Sequence, residues 1–104
     1  MALAYITCRD KKEAKKIARH LLEKRLIACA NILPISSMFW WEEKIAEENE
    51  VALLAKTLDF EAVKKAVEGI HSYAVPCILK IDATGSEKYM GWVRKETTLP
   101  NQRA

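Results

Sequence analysis

The two histidines and three cysteines of this sequence carry its soft and borderline donor atoms: His20, His71, Cys8, Cys29 and Cys77. Thiols and imidazoles suit copper and zinc rather than magnesium or calcium. No two cysteines and no two histidines fall within the short intervals of structural zinc motifs. Any metal site must therefore be assembled by the fold or between copies of the chain. His71 is the best placed, at the end of a helical stripe and ahead of Tyr73 and a Val75-Pro76 turn, with Cys77 following six residues later. His71 and Cys77 are the candidate metal ligands, and a helix-end histidine favoured by the dipole is the alternative for His71. His20 lies mid-helix among basic residues and reads as exposed and idle. Cys29 has the chemistry of a nucleophile, with His71 as a base. It lies in an apolar run, however, where a free cysteine packs as a small hydrophobe. Reactive thiols need a partly exposed, electropositive setting, so Cys29 is expected to be buried and inert.

Enzyme signatures are missing. There are three glycines in all and no glycine-rich phosphate loop, nucleophile elbow or His-Glu-x-x-His. The chain is not expected to be an enzyme. Phe39, Trp40 and Trp41 stand beside Glu42 and Glu43, and such aromatics are expected to be buried in a partner, since interfaces are enriched in Trp and Tyr. Glu42 and Lys56 lie close to apolar runs, either as a charge pair across subunits or as surface charge.

The elements that must position these residues follow from periodicity. Ala2 to Cys8 reads as a buried strand. Asp10 with Glu13 three residues on is a capping box. Ala14, Ile17, Ala18, Leu21 and Leu22 make the stripe of a helix ending near Arg25. The stretch Ala28 to Trp41 reads as one long strand that is interrupted at Pro34, which must lie at an edge or a bulge, with a kink expected beside it at Ser36 and Ser37. At about 3.3 Å per residue it spans roughly 46 Å, more than the width of a domain whose radius of gyration is near 13 Å. Glu42, Glu43 and Lys44 form the turn, and Ile45 to Leu58 returns. Val51, Leu53 and Ala55 on one side and Ala52 and Leu54 on the other mean that both faces of this strand are covered. Asp59 caps a second helix with the stripe Val63, Ala66, Val67 and Ile70. Cys77 to Ala83 is a fourth strand, and Ser86 caps a short third helix carrying Tyr89, Trp92 and Val93. Pro100, Asn101 and Gln102 read as a frayed tail. The order β-α-β-β-α-β-α points to one α+β domain over residues 1–104, a ferredoxin-like split β-α-β sandwich with a long β2–β3 hairpin and a short C-terminal helix. Its open sheet face needs a cover.

Composition narrows the partners. The net charge of +3 is mild, and the lysines and arginines crowding the first helix have no interleaved aromatics, which argues against nucleic acid. No apolar run reaches 18 residues, so no membrane span is expected. An odd, scattered set of cysteines and an N-terminus without a basic n-region suggest a cytoplasmic protein.

The residues also resemble a family. Arg25-Leu26-Ile27-Ala28-Cys29-Ala30-Asn31-Ile32 is similar to the Leu-Ala-Ala-Cys-Val-Asn signature of CutA, the divalent-cation tolerance proteins. Trp41-Glu42-Glu43-Lys44-Ile45 resembles its Trp-Glu-Gly-Lys hairpin tip, and Lys56-Thr57 its Lys-Thr. His71-Ser72-Tyr73-Ala74-Val75-Pro76 is similar to His-Pro-Tyr-Glu-Val-Pro, and Tyr89 with Trp92 fits Tyr-x-x-Trp. The resemblance covers essentially the whole chain. It implies a ferredoxin-like domain in an intertwined homotrimer, like the PII signalling proteins, and a role in tolerance of divalent cations, copper among them. The copper role carries over onto His71. The alternative is a PII-like module that binds a small ligand in a cleft between subunits and passes its state to an unidentified protein partner. The residues for that cleft are Cys29, Trp41, Glu42, Lys56, His71, Tyr73, Tyr89 and Trp92. Five positions depart from the pattern, the first being Arg9, where a proline is usual after the first strand. Glu43 replaces the hairpin glycine and Ser72 the proline after His71, and Ala74 and Cys77 stand where glutamates are usual. A different turn geometry is expected at Glu43.

Overall fold

Alternation decides the first element. In β1 (Ala2–Cys8) the residues Ala2, Ala4, Ile6 and Cys8 are buried, and those between them are half-buried. A strand sends alternate side chains to opposite faces, so one face of β1 is the floor of the core. The computed structural model describes residues 1–98, and the tail at Pro100, Asn101 and Gln102 lies outside them. Helix α1 (Lys11–Glu23) starts at Asp10, whose carboxylate accepts the Glu13 N–H at 2.8 Å. Its stripe of Ala14, Ile17, Ala18 and Leu21 is buried. Leu22, expected on the same stripe, is left 40% exposed at the rim. A fully buried Ile or Leu contributes about 1.5–3 kcal/mol, so Ile17 and Leu21 fix which side of α1 faces the sheet.

The helix ends in a Schellman closure. The Leu26 N–H returns to the Leu21 carbonyl and the Arg25 N–H to the Leu22 carbonyl. Arg25 occupies the left-handed position with φ 59°, where glycine is easiest. Its guanidinium is anchored 3.0 Å from the carboxylate of Glu96, which ties the end of α1 to the end of α3 (Glu87–Glu96).

The hairpin consists of β2 (Cys29–Trp41) and β3 (Lys44–Thr57). Its register is unbroken from Cys29 opposite Lys56 to Trp41 opposite Lys44. Of the two placements open to Pro34, an edge or a bulge, the edge is therefore the one realised. Pro34 sits opposite Val51 on an edge strand, where a missing N–H is tolerated. The turn is also tighter than the sequence suggests. Glu42 and Glu43 alone form it, and Lys44 is already paired. Both glutamates have positive φ, 49° and 64°, the conformation of a two-residue turn that normally takes glycine.

Helix α2 (Phe60–Glu68) is capped by Asp59 and leads to β4 (Ile78–Asp82), while Ser86 caps α3. The four strands form one antiparallel sheet in the order β2-β3-β1-β4, the split β-α-β sandwich expected from the sequence. Ile6, Leu53, Ile17, Leu21, Val63 and Val67 belong to the core between the sheet and helices α1 and α2. Leu33, Leu79 and Ile81 lie on the opposite face and are 44%, 53% and 43% exposed. The molecule measures 53 × 26 × 21 Å, its long axis reflecting the hairpin. No helix among the described residues is long and apolar enough to cross a membrane.

Candidate metal centre

The chain wraps the end of β1 with the segment that follows α2. The His71 N–H bonds back to the Val67 carbonyl at 2.9 Å, so His71 leaves the helix with its ring turned towards β1. Its Nε2 lies 2.8 Å from the Thr7 carbonyl oxygen, and its Nδ1 accepts the Tyr73 N–H at 3.0 Å. A carbonyl only accepts and an amide only donates. The neutral ring must therefore carry its proton on Nε2, with its one free lone pair, on Nδ1, engaged by Tyr73. The His71 and Tyr73 rings pack 4.8 Å apart, and the Tyr73 hydroxyl donates to Glu50 at 2.7 Å. Burial first, then the bond to Glu50, pushes the Tyr73 phenol above its ordinary range.

Glu13 closes the other side. It is 7% exposed, one oxygen accepting the Arg9 N–H and the other the Ser72 N–H, each at 2.9 Å. The capping box is thus present in modified form, reaching back to Arg9 and across to a residue far along the chain. Desolvation would raise the Glu13 pKa. The bonds from Ser72 and Arg9 and the nearby His71 outweigh it and hold the carboxyl below its ordinary value of 4.5. Cys8, on the core face at the end of β1, completes the group. Burial first, then the charges of Glu13, Glu50 and Asp10, pushes its thiol up to about 12.

Cys8 Sγ, a Glu13 oxygen and a His71 nitrogen lie within 4.8 Å of one another, the metal-competent donor group among the described residues. Thiol, imidazole and carboxylate together fit a borderline divalent cation such as copper or zinc. The structure brings His71 to Cys8 and Glu13, and Cys77 stands outside this group. Cys77 is half-buried at the entry to β4, its carbonyl accepting the Thr7 N–H at 3.3 Å. Sequence reasoning missed Cys8 and Glu13 as partners of His71. The available signals were the alternation that puts Cys8 on the buried face and the capping role of Glu13.

The other cleft residues fall into two separate places within one chain. Cys29 and Lys56 face each other across β2 and β3, the ammonium 3.6 Å from the sulphur and also bonded to Asn31. Tyr89 lies over this pair: burial first, then the nearby Cys29, raises its phenol pKa. The Tyr89 and Trp92 rings are 5.6 Å apart. Cys29 is half-buried and in contact with a cation, which corrects the expectation of a buried, purely apolar setting. A resident ammonium also disfavours a second cation at that sulphur. Trp41 and Glu42 lie at the far end of the hairpin, twelve residues from Cys29 and thus roughly 40 Å away along the strand.

Known proteins match this chain over nearly its full length. Residues 2–96 fit the family described as CutA1 divalent ion tolerance protein. The divalent-cation tolerance protein CutA of Archaeoglobus fulgidus is 45% identical over 92 residues, covering 86% of this chain and 90% of that protein. Protein CutA of Homo sapiens is 38% identical over 101 residues, which is 93% of this chain and 56% of that protein. Among solved structures, a point mutant of CutA1 from Pyrococcus horikoshii OT3 superposes with a TM-score of 0.91 at 39% identity, covering 94% of this chain and 99% of that one. A structure of the Archaeoglobus fulgidus protein, described as periplasmic, gives 0.90 at 39% identity over 94% and 100%.

Proposed function

The chain belongs to the CutA1 divalent ion tolerance family, and from that premise we propose that it binds a divalent cation, copper foremost, at Cys8, Glu13 and His71 as part of a tolerance response to metal ions. One observation carries the reading: a sulphur, a nitrogen and an oxygen donor converge within 4.8 Å. That donor set discriminates against magnesium, which prefers oxygen ligands and keeps its waters. Cys8 would coordinate as the thiolate and so would give up its proton when a cation binds. Glu13 adds a carboxylate already held ionised by its hydrogen bonds. Binding, and not a catalysed reaction, is the proposed role.

The proposed working form is a cytoplasmic homotrimer. Two features support assembly: the apolar residues left open on the sheet face, and the roughly 40 Å between Trp41 and Lys56. These two residues share a cleft only if a neighbouring copy supplies the hairpin tip. The free cysteines suit a reducing compartment. Calorimetry with copper(II), zinc(II) and magnesium(II) tests the metal reading. Copper and zinc are expected to bind and magnesium to fail, and His71→Ala should weaken copper at least about tenfold, since even indirect changes around a metal cost that much. Unchanged copper binding in His71→Ala would remove the site.

A second reading rests on Lys56, Asn31, Tyr89 and Trp92. An ammonium and an amide beside a pair of aromatic rings suit a small anionic ligand, as in a PII-like module that signals to a protein partner. Native mass spectrometry against metals and nucleotides separates the two readings.

A further inference from the structure

The hydrogen bonds around His71 have a consequence for how a cation enters. In the closed state the imidazole offers no free lone pair, since Nε2–H points to the Thr7 carbonyl and Nδ1 receives the Tyr73 N–H. A metal ligand must present that lone pair to the ion. Coordination through Nδ1 displaces the Tyr73 amide. Coordination through Nε2 would break the bond to Thr7 and, in the neutral ring, leave the proton on Nδ1, which then no longer accepts the Tyr73 N–H. Either way, the bond from the Tyr73 amide to His71 must break. Glu13 is under no such constraint. An ionised carboxylate has about four lone-pair sites, and Arg9 and Ser72 occupy one on each oxygen.

We propose that the segment from His71 to Cys77 is a cation-released latch, in which the metal and the Tyr73 backbone amide compete for the same imidazole. This rests on the metal reading above and adds its regulation. The latch joins the two faces of the sheet. Ser72 is held by Glu13 of α1 beneath the sheet, while the Tyr73 hydroxyl reaches Glu50 on the face opposite the helices. Freeing the Tyr73 amide loosens the phenol from Glu50 and lets Val75, already 89% exposed, move with the segment. Occupancy at a buried donor group is thereby expressed on the sheet face opposite the helices. Because a ligand shifts an equilibrium only by its differential affinity, the closed latch must also weaken the cation.

Two measurements on the full chain test this. Zinc(II) is titrated while calorimetry follows binding and residue-resolved amide exchange follows Tyr73. The Tyr73 amide should lose protection at least about tenfold as zinc saturates, while the Leu53 and Ile6 amides keep theirs. Tyr73→Phe, which removes only the bond to Glu50, should bind zinc several-fold more tightly, up to about tenfold, because a hydrogen bond to a charged group no longer holds the closed state. Zinc binding with Tyr73 protection unchanged would overturn the latch and leave the site intact. A Tyr73→Phe affinity equal to that of the wild type would do the same. No zinc or copper binding at all would overturn site and latch together.

Discussion

The two ends of this molecule are finished to different degrees. At the end of β1, Glu13, His71, Ser72 and Tyr73 satisfy one another within a single chain, and no buried side-chain polar atom among the described residues lacks a partner. At the hairpin tip, Trp40, Trp41 and Ile45 remain 73%, 65% and 64% exposed above a turn that forces two glutamates to positive φ. Side chains of that size contribute little until something covers them. One end is therefore satisfied within its own chain, and the other leaves large aromatic and aliphatic side chains uncovered.

Removing the tip aromatic should have the largest effect. In a cyclic trimer the same substitution recurs at three interfaces, and truncating a buried aromatic anchor costs at least about 2 kcal/mol at each. Wild-type protein should sediment as one species of three chains at micromolar concentration, and Trp41→Ala should dissociate or melt markedly earlier. A stable wild-type monomer would break the comparison outright.

Acid should act on the other end. The folded Glu13 carboxyl sits below its ordinary 4.5, so its contribution is fully present above that value and fades as pH falls through the lower folded one. Glu13→Gln leaves one of two backbone N–H groups facing an amide NH2, so its urea midpoint at pH 7 should correspond to a loss of about 1–2 kcal/mol. The gap to wild type should close in acid. A gap that stays equally wide however far the pH is lowered would mean that the carboxylate is not what holds Ser72 and Arg9.

The turn offers the smallest and opposite effect. Glu43→Gly relieves a left-handed glutamate and should stabilise the protein by about 1 kcal/mol, seen as a higher Tm. Lower stability would show that the glutamate makes compensating contacts at the tip.

These regions also differ in how much the sequence reveals. The stripe of α1 apart from Leu22, the Asp10 cap, the order of elements and the aromatic tip all rest on local periodicity and spacing, and the structure carries them. The turn is one residue shorter than its composition suggests, because two adjacent glutamates give no sign of adopting a glycine conformation. The metal group is legible only at His71. Cys8 and Glu13 are brought to it by the crossover from α2 back to the end of β1, a contact across some sixty residues that no spacing rule encodes. Cys77 is attractive because it is near in sequence, whereas proximity in the fold belongs to Cys8. Lys56 beside Cys29 is equally hidden, since it depends on the exact hairpin register.

The claim that Cys8, rather than either of the other thiols, serves the cation is the most direct to test. Cobalt(II) is added anaerobically to the wild type and to Cys8→Ser, Cys29→Ser and Cys77→Ser, and the thiolate-to-metal charge-transfer band is recorded. The band should appear in the wild type, persist in Cys29→Ser and Cys77→Ser, and vanish in Cys8→Ser. Its persistence in Cys8→Ser, or its loss in Cys77→Ser, would contradict the assignment of the site.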